Sequence, residues 1–303
     1  MHYFWKNQTN KAAFEYSRKL IAHHSKSFYI SARLLPIERR WATYALYGFC
    51  RYVDNLIDNP RKRTKDELLK EIDNIAIELR IASRTGESEH PIILAFIVSA
   101  SFFGIPIEHA LDLVSGVKMD LEHTHYETFD DLYPFCYRVA GVVGIMMTHI
   151  LGQTDKRAFY YAEKLGIAMQ LTNILGDIRE DKTMGRIYLP LDELKLFGVT
   201  KKQIINERMS PNLRNLMEFQ VNRAEEYYER SKLGVPMLQT ESQFAIYSAI
   251  NIYRKILQKI TERGFNPFLG RVFVPNKQKL TILLREIFRS KLIITQGQST
   301  TIQ

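Results

Sequence analysis

Cysteine is scarce in this chain of 303 residues: only Cys50 and Cys136 occur, both in apolar surroundings and without CxxC spacing. A disulfide scaffold is thereby excluded, and a reducing, cytoplasmic setting is expected. Helix breakers are also few, with 15 Gly and 10 Pro. No window is low in complexity, so disorder is expected only at the ends, where "MHYFWKNQTN" and "TQGQSTTIQ" read as frayed. The N-terminus lacks a basic segment followed by an apolar run, so no signal peptide is expected. The longest uncharged stretches are "PIILAFIVSASFFGIPI" (91–107) and "VAGVVGIMMTHILGQT" (139–154). Each falls short of the ~20 residues a membrane span needs, and both read as buried core helices. There is no HExxH, no His/Cys zinc set and no GxGxxG or GxxxxGK(S/T) loop. Ser25 has His24 beside it, but adjacent residues on a helix do not face each other, so a Ser–His nucleophile has no support.

What is present is apolar and basic. Hydrophobic residues make up 46% of the chain and aromatics 12%, enough for one large core. The formal net charge of +9 points to an anionic substrate or partner. Basic residues cluster in "RKRTK" (61–65), at Lys201 and Lys202, and along "KQKLTILLREIFRSK" (277–291). No nucleic-acid motif accompanies them, so no nucleic-acid partner is expected. The last segment is amphipathic and basic, which suits peripheral contact with the inner face of a membrane.

Nearly every patterned segment has the helical period. "KDELLKEIDNIAIELRIA" (65–82) places Leu68, Leu69, Ile72, Ile75 and Leu79 at that spacing, with Thr64 as its N-cap. No run alternates with period two, no linker splits the chain, and short Gly- and Pro-containing turns punctuate it. The expected fold is all-α, a single domain of about ten or more helices.

Two polar stripes interrupt this apolar pattern. In "YGFCRYVDNLIDNP" (47–60), Tyr47, Arg51, Asp54 and Asp58 fall within roughly 60° of one helix face. In "MQLTNILGDIREDKTMGRIYLP" (169–190), Gln170, Asn173, Asp177 and Asp181 fall within roughly 80°. Carboxylates four apart repel unless a cation lies between them. Oxygen-only ligands suit Mg²⁺, with Mn²⁺ as the alternative, hard cations that bind carboxylate and substrate phosphate together. Two such pairs facing one helical cavity would hold metal ions through Asp54, Asp58, Asp177 and Asp181 and so clamp a diphosphate. Ala140, Gly141, Gly144 and Gly166, on apolar helices, serve equally as cavity liners or as points of close helix packing. Glu122 and His125 in "EHTH" have the spacing of a di-iron bundle, but their only counterpart, Glu87 and His90, falls in a turn.

These motifs resemble the squalene/phytoene synthases, head-to-head trans-isoprenyl diphosphate synthases, over roughly residues 14–290. "HHSKSFYISARLLPIERRWATYALYGFCRYVDNLID" is similar to the family's N-terminal signature, with His24, Ser25 and Ser27 as its His-Ser-x-Ser element. "GVKMDLEHTHYETFDDLYPFCYRVAGVVGIMM" resembles the central signature and "LGIAMQLTNILGDIREDKTMGRIYLP" the second aspartate-rich one. "IYRKIL" and "GFNPFLGRVFVP" resemble weaker features around Tyr253 and Arg271. The resemblance implies an isoprenoid-synthase helical bundle around a central cavity. It also implies 1′–1 joining of two prenyl diphosphates through a cyclopropylcarbinyl diphosphate. Ser25, Ser27, Arg51, Tyr47 and Arg271 would then contact diphosphates. Gln170 and Asn173 would contact substrate and assist the metal shell, with Asn173 as a further metal ligand. His24, Phe135, Val139, Gly144, Gly166 and Tyr253 would contact substrate. Two geranylgeranyl diphosphates giving phytoene is the expected reaction, because "FCYRVAGVVGIMM" looks closer to the phytoene branch; NADPH is then not expected. Two farnesyl diphosphates giving presqualene diphosphate, dehydrosqualene or squalene is the alternative. An alternative of another class is a catalytically silent assembly or binding protein. Three positions depart from the usual pattern: Gly176 where Arg is common, Phe135 where Tyr is common, and Asn55 where a second Asp is frequent. Arg179 or Arg186 is expected to supply the charge that Gly176 lacks.

Overall fold

The computed structural model describes residues 3–58 and 62–299, with the side chains of Ser27 and 291–299 outside that description. Among the described residues the runs of helical period fold as helices, and no strand forms. Among the described residues two isolated bridges occur, His125 with Ile187 and Gln153 with Leu238. Local signals set the helix ends. Ser25, at φ −145° and ψ 80°, separates α1 (Lys11–His24) from α2 (Lys26–Ala32), and α3 (Ile37–Asp58) follows. α4 (Lys65–Thr85) opens on a capping box, in which the Glu67 N–H donates to the Thr64 hydroxyl and the Thr64 N–H to the Glu67 carboxylate. It closes on Gly86 at φ +76°, a left-handed position that favours glycine. α5 (Pro91–Phe103) carries Pro in its first turn, where the missing N–H costs nothing.

α6 (Ile107–Glu122) leads to α7 (Phe129–Cys136), a π-helical turn (Tyr137–Gly141) and α8 (Val142–Leu151). Pro134 inside α7 removes a backbone donor, and the wider π turn follows directly. α9 (Ala158–Gly176), α10 (Ile178–Thr183), α11 (Leu191–Leu196) and α12 (Lys201–Ile205) come next. α13 (Pro211–Lys232), α14 (Thr240–Glu262) and α15 (Asn276–Ser299) complete the chain.

α9 is the central rod. It packs on α8 and the π turn along one side and on α13 and α14 along others, so apolar residues surround most of its circumference. One apolar cluster joins α9, α13 and α14; a second joins α3, α4, α5, α6 and α8. The approach of α8 to α9 is so close that a Cβ on Gly144 would lie 2.3 Å from the Ala162 carbonyl oxygen. One on Gly166 would lie 2.2 Å from that of Ala140. Both glycines also line the cavity described below, so each combines close helix packing with a place in the cavity wall.

Three expectations change. Residues 3–10 are not frayed: Trp5 is 3% exposed and packs with Phe14 and Ala45, its ring 4.9 Å from that of Phe4. At the other end α15 runs to Ser299, so 295–299 are helical, while 300–303 lie outside the described residues. The second apolar stretch belongs to a longer helical run, Phe129–Leu151, whose 23 residues suffice by length and composition to cross a membrane. That run packs against α3, α6 and α9, and half of its most apolar window is buried inside the fold.

The glycine contacts predict contrasting substitutions. Gly144→Ala should lower unfolding free energy by about 1–3 kcal/mol through overpacking. Gly176→Ala, whose Cβ meets only Ile256 at 3.8 Å, should not destabilise. Urea denaturation of the two variants checks the contrast, and equal losses would refute it.

Candidate active site

A cavity of about 600 Å³ opens between the two apolar clusters, and α3, α6, α8, α9 and α14 wall it. Asp54 and Asp58 reach it from the last turn of α3. Gln170, Asn173, Asp177 and Asp181 reach it from α9 and α10. The second stripe is not one continuous helix, as its spacing suggested. α9 ends at Gly176, Asp177 sits in the break at φ −116° and ψ 12°, and α10 begins at Ile178. The bend keeps the stripe together because the Asp177 N–H donates to the Asn173 carbonyl (2.9 Å) and the Asp181 N–H to the Asp177 carbonyl (2.8 Å).

Phe135, Val139, Gly144, Gly166, Tyr253 and Arg271 also line the cavity, as expected. Tyr47, Arg51 and His24 stand next to it. The Arg51 guanidinium lies 3.5 Å from Asp58 and lowers the pKa of His24, second to burial. Burial raises the pKa of the Tyr47 hydroxyl, which also feels Arg51, Asp54 and Tyr253. The Tyr47 ring stacks at a tilt, 5.7 Å away, on Phe28, itself a cavity residue. Ser25 sits in the break between α1 and α2; the side chain of Ser27 lies outside the described residues.

A fifth carboxylate, absent from the sequence reading, joins the four. Asp120 on α6 lines the cavity, pairs with Arg186 at 3.2 Å and accepts a hydrogen bond from the Tyr188 hydroxyl. Its signal was present: Leu113, Val117 and Asp120 fall within roughly 60° of each other, placing the acid on the buried face of its helix. Tyr188 follows a turn where no periodicity could reveal it. Its ring stacks on Phe135 with centroids 5.4 Å apart and planes 10° apart, so a phenol stands against the position where Phe135 lacks one. Of the two arginines proposed to offset Gly176, Arg186 lines the cavity. Arg179 instead pairs with Glu207 at 3.2 Å. Arg271, 3.0 Å from Asp177, supplies a second cationic contact within the cavity wall.

The electrostatics follow from crowding like charges in a partly dry space. Burial, then the Asp58 carboxylate, push Asp54 from an ordinary 3.8 up to about 7, against the pull of Arg51. Burial, then Asp177 and Asp120, raise Asp181 to about 7. Asp177 and Asp120 also lie above the usual range, mainly through burial. Among the described residues, Arg51, Arg186 and Arg271 are paired with Asp58, Asp120 and Asp177 of these five carboxylates. Among the described residues no three His, Cys, Asp or Glu side chains close on one point, so the protein alone does not build a complete metal cage. Paired carboxylates with Asn173 fit a hard divalent cation whose remaining positions fall to water and a phosphate.

The rest of the wall is apolar, with Val143, Met147, Leu165, Met169, Val235 and Ile246. Tyr161 and Asp177, both cavity residues of α9 or its end, are sixteen residues apart, about 24 Å along a helix. The arrangement accommodates an anionic head at the carboxylate–arginine end and a long apolar tail beside the helices.

A family model described as squalene/phytoene synthase matches residues 21–278. A phytoene synthase from Arthrospira platensis is 33% identical over 298 residues, covering 94% of this chain and 96% of the relative. A 15-cis-phytoene synthase from Synechococcus elongatus is 33% identical over 293 residues, covering 93% and 94%. Among solved structures, a dehydrosqualene synthase in complex with ligand superposes with a TM-score of 0.84 at 30% identity, covering 94% of this chain and 98% of that one. A squalene synthase from Alicyclobacillus acidocaldarius superposes with a TM-score of 0.77 at 27% identity, covering 85% and 96%.

The raised carboxylates set a sign for stability. A group whose folded-state pKa exceeds its unfolded value favours the folded state at low pH, and that contribution is lost as pH rises through the folded value. With EDTA present, the share of Tm due to Asp54 and Asp181 should therefore fall between about pH 4 and about pH 7. Thermal melts of wild type against Asp54→Asn and Asp181→Asn check this. The wild-type disadvantage should grow toward pH 7, and a constant difference would contradict the carboxylate assignment.

Proposed function

The chain belongs to the squalene/phytoene synthase family, a class of divalent-metal-dependent prenyltransferases acting on prenyl diphosphates, and from that premise we propose that it joins two geranylgeranyl diphosphates head to head to give phytoene. The observation that carries this reading is the facing of two aspartate pairs, from α3 and from α9–α10, across one apolar cavity. The phytoene synthases among its relatives support the C20 substrate. The close superposition on a dehydrosqualene synthase favours a second reading, two farnesyl diphosphates giving a C30 product.

In this reading Asp54, Asp58, Asn173, Asp177 and Asp181 hold Mg²⁺, which supplies positive charge against the diphosphate as it departs. Arg271 and Arg51 sit beside the carboxylates and bind phosphate oxygens, adding fixed positive charge that needs no reorganisation. The first substrate loses its diphosphate to leave an allylic cation, and the π electrons of the second substrate's double bond attack that cation to form the new carbon–carbon bond. Ring closure with loss of a proton gives a cyclopropylcarbinyl diphosphate. A second ionisation, rearrangement and proton loss then yield the linear hydrocarbon. Through both ionisations the chain excludes water and surrounds the cation with aromatic and aliphatic groups, among them Phe28, Phe135, Tyr188 and Tyr253. Arg186, held by Asp120, places its charge on the same wall and takes the part that Gly176 leaves vacant.

Purified protein incubated with Mg²⁺ and either C15 or C20 diphosphate, with and without NADPH, is expected to yield a C40 hydrocarbon from the C20 substrate. A C30 product alone would establish the second reading, and no product from either would sink both. Asp54→Ala and Asp177→Ala should each cut turnover by about 10²–10³ or more while leaving circular dichroism unchanged.

The two arginines separate cleanly. Arg186→Ala is expected to lower kcat/KM by at least about tenfold, whereas Arg179→Ala stays within about twofold of wild type. Steady-state kinetics on both variants decides it, and equal effects would remove Arg186 from the assignment.

A further inference from the structure

The outer face of α15 takes no part in the chemistry above, yet it is far from an ordinary solvated face. Leu280, Leu284 and Phe288 recur every fourth residue and are 44%, 58% and 67% exposed. They form one apolar ridge along two helical turns. Lys277, Arg285 and Arg289, all exposed, flank the ridge. The one acid on the helix, Glu286, is turned inward and buried, where it accepts hydrogen bonds from Asn251 at 3.1 Å and from Arg285 at 3.0 Å, while the rest of the Arg285 side chain stays exposed. The inner face carries Leu283 and Ile287 into the cluster formed by Leu35, Leu151 and Phe244. Thus the solvent side of α15 combines bulky apolar groups with cations and has no carboxylate of its own.

This face adjoins an opening. A crevice of about 380 Å³ runs between α9, α14 and residues 271–274, with Lys279 of α15 at its wall. It shares Asn173, Asp177, Tyr253 and Arg271 with the main cavity, and Phe273, 64% exposed, lies at its outer side. Its remaining lining is largely apolar, with Ile252, Ile256, Val272 and Val274. Gly176 keeps it open, since that position carries no side chain to fill it.

We propose that α15 docks on a bilayer containing anionic lipids, seating Leu280, Leu284 and Phe288 at the headgroup–acyl boundary. Lys277, Arg285 and Arg289 then lie at the level of the lipid phosphates. A helix that presents apolar groups between cations is matched to that boundary, where each kind of side chain meets its complement. A second copy of this chain is a poor occupant, because a two-fold pairing of this face would bring two sets of cations together. Nucleic acid would leave the central apolar ridge without a partner. Resting on the proposed function, the crevice joins the carboxylate–arginine end of the cavity, at Asn173, Asp177 and Arg271, to the side of the molecule that the membrane covers.

The test uses the full chain and co-sedimentation with vesicles of phosphatidylcholine alone or mixed with phosphatidylglycerol. Wild type is expected to bind the anionic vesicles, and binding should weaken as salt is raised. Leu284→Glu combined with Phe288→Glu should weaken it by at least about tenfold while leaving helicity and condensation in vesicle-free buffer unchanged. Both substituted side chains are exposed, and circular dichroism confirms that the variant is folded. No vesicle binding by wild type, equal binding to uncharged vesicles, or undiminished binding by the variant would overturn the proposal. So would sedimentation showing that the substitutions convert a dimer to a monomer. Condensation activity measured on the same preparations separates the two readings. Turnover without vesicle binding defeats the docking face alone, and vesicle binding without turnover defeats the proposed reaction alone.

Discussion

Five carboxylates share one partly dry cavity, and the cost of holding them there is the constraint to which the surrounding architecture answers. Desolvation alone disfavours each charge, and the neighbours compound it, which is why Asp54 and Asp181 are pushed to about 7. Such a cluster persists only if the helices that carry it cannot move apart. The rigidity comes from the apolar clusters on either side and from the backbone-to-backbone approach of α8 and α9 at Gly144 and Gly166. In the proposed reading, a cation held among these carboxylates relieves repulsion that the fold has already imposed.

The arginines are distributed to match. Arg51, Arg186 and Arg271 each face one carboxylate, at 3.5, 3.2 and 3.0 Å, and none neutralises the cluster as a whole. Arg186 and Asp120 are both largely shielded and tightly paired, so they act as a fixed dipolar wall. Arg271, 67% exposed along its side chain, sits where the main cavity and the crevice meet. Gly176 belongs to the same economy of space. Without a side chain there, the crevice stays open beside Asp177.

Helices and their limits were largely legible in the chain, because a half-buried helix must repeat its apolar residues at its own period. Thr64 capping α4 and Gly264 following α14 are examples in which local chemistry alone decides. The two aspartate stripes were legible for the same reason: acids set into apolar helices need an explanation that a solvated face does not. Their resemblance to a known family then covered most of the chain. The bend at Asp177 was not legible, since residues 170–181 keep helical spacing across it. Residues 3–10 were misread because polar composition conceals that Trp5 finds a pocket made by α1, α3 and α5.

By itself the sequence determined that the protein is all-helical and that two acid stripes interrupt its apolar faces, and its net positive charge pointed to an anionic substrate or partner. These are properties of short stretches, where period, capping and charge act between residues a few positions apart. Only the tertiary structure decided that Asp120, Arg186 and Tyr188 complete the wall begun by those stripes, and that Arg179 turns away to Glu207. It also decided that α15 leaves an apolar, basic face beside the crevice. Those facts depend on which helix packs against which, a choice made by shape and burial between segments far apart in the chain, where spacing along the sequence has no say.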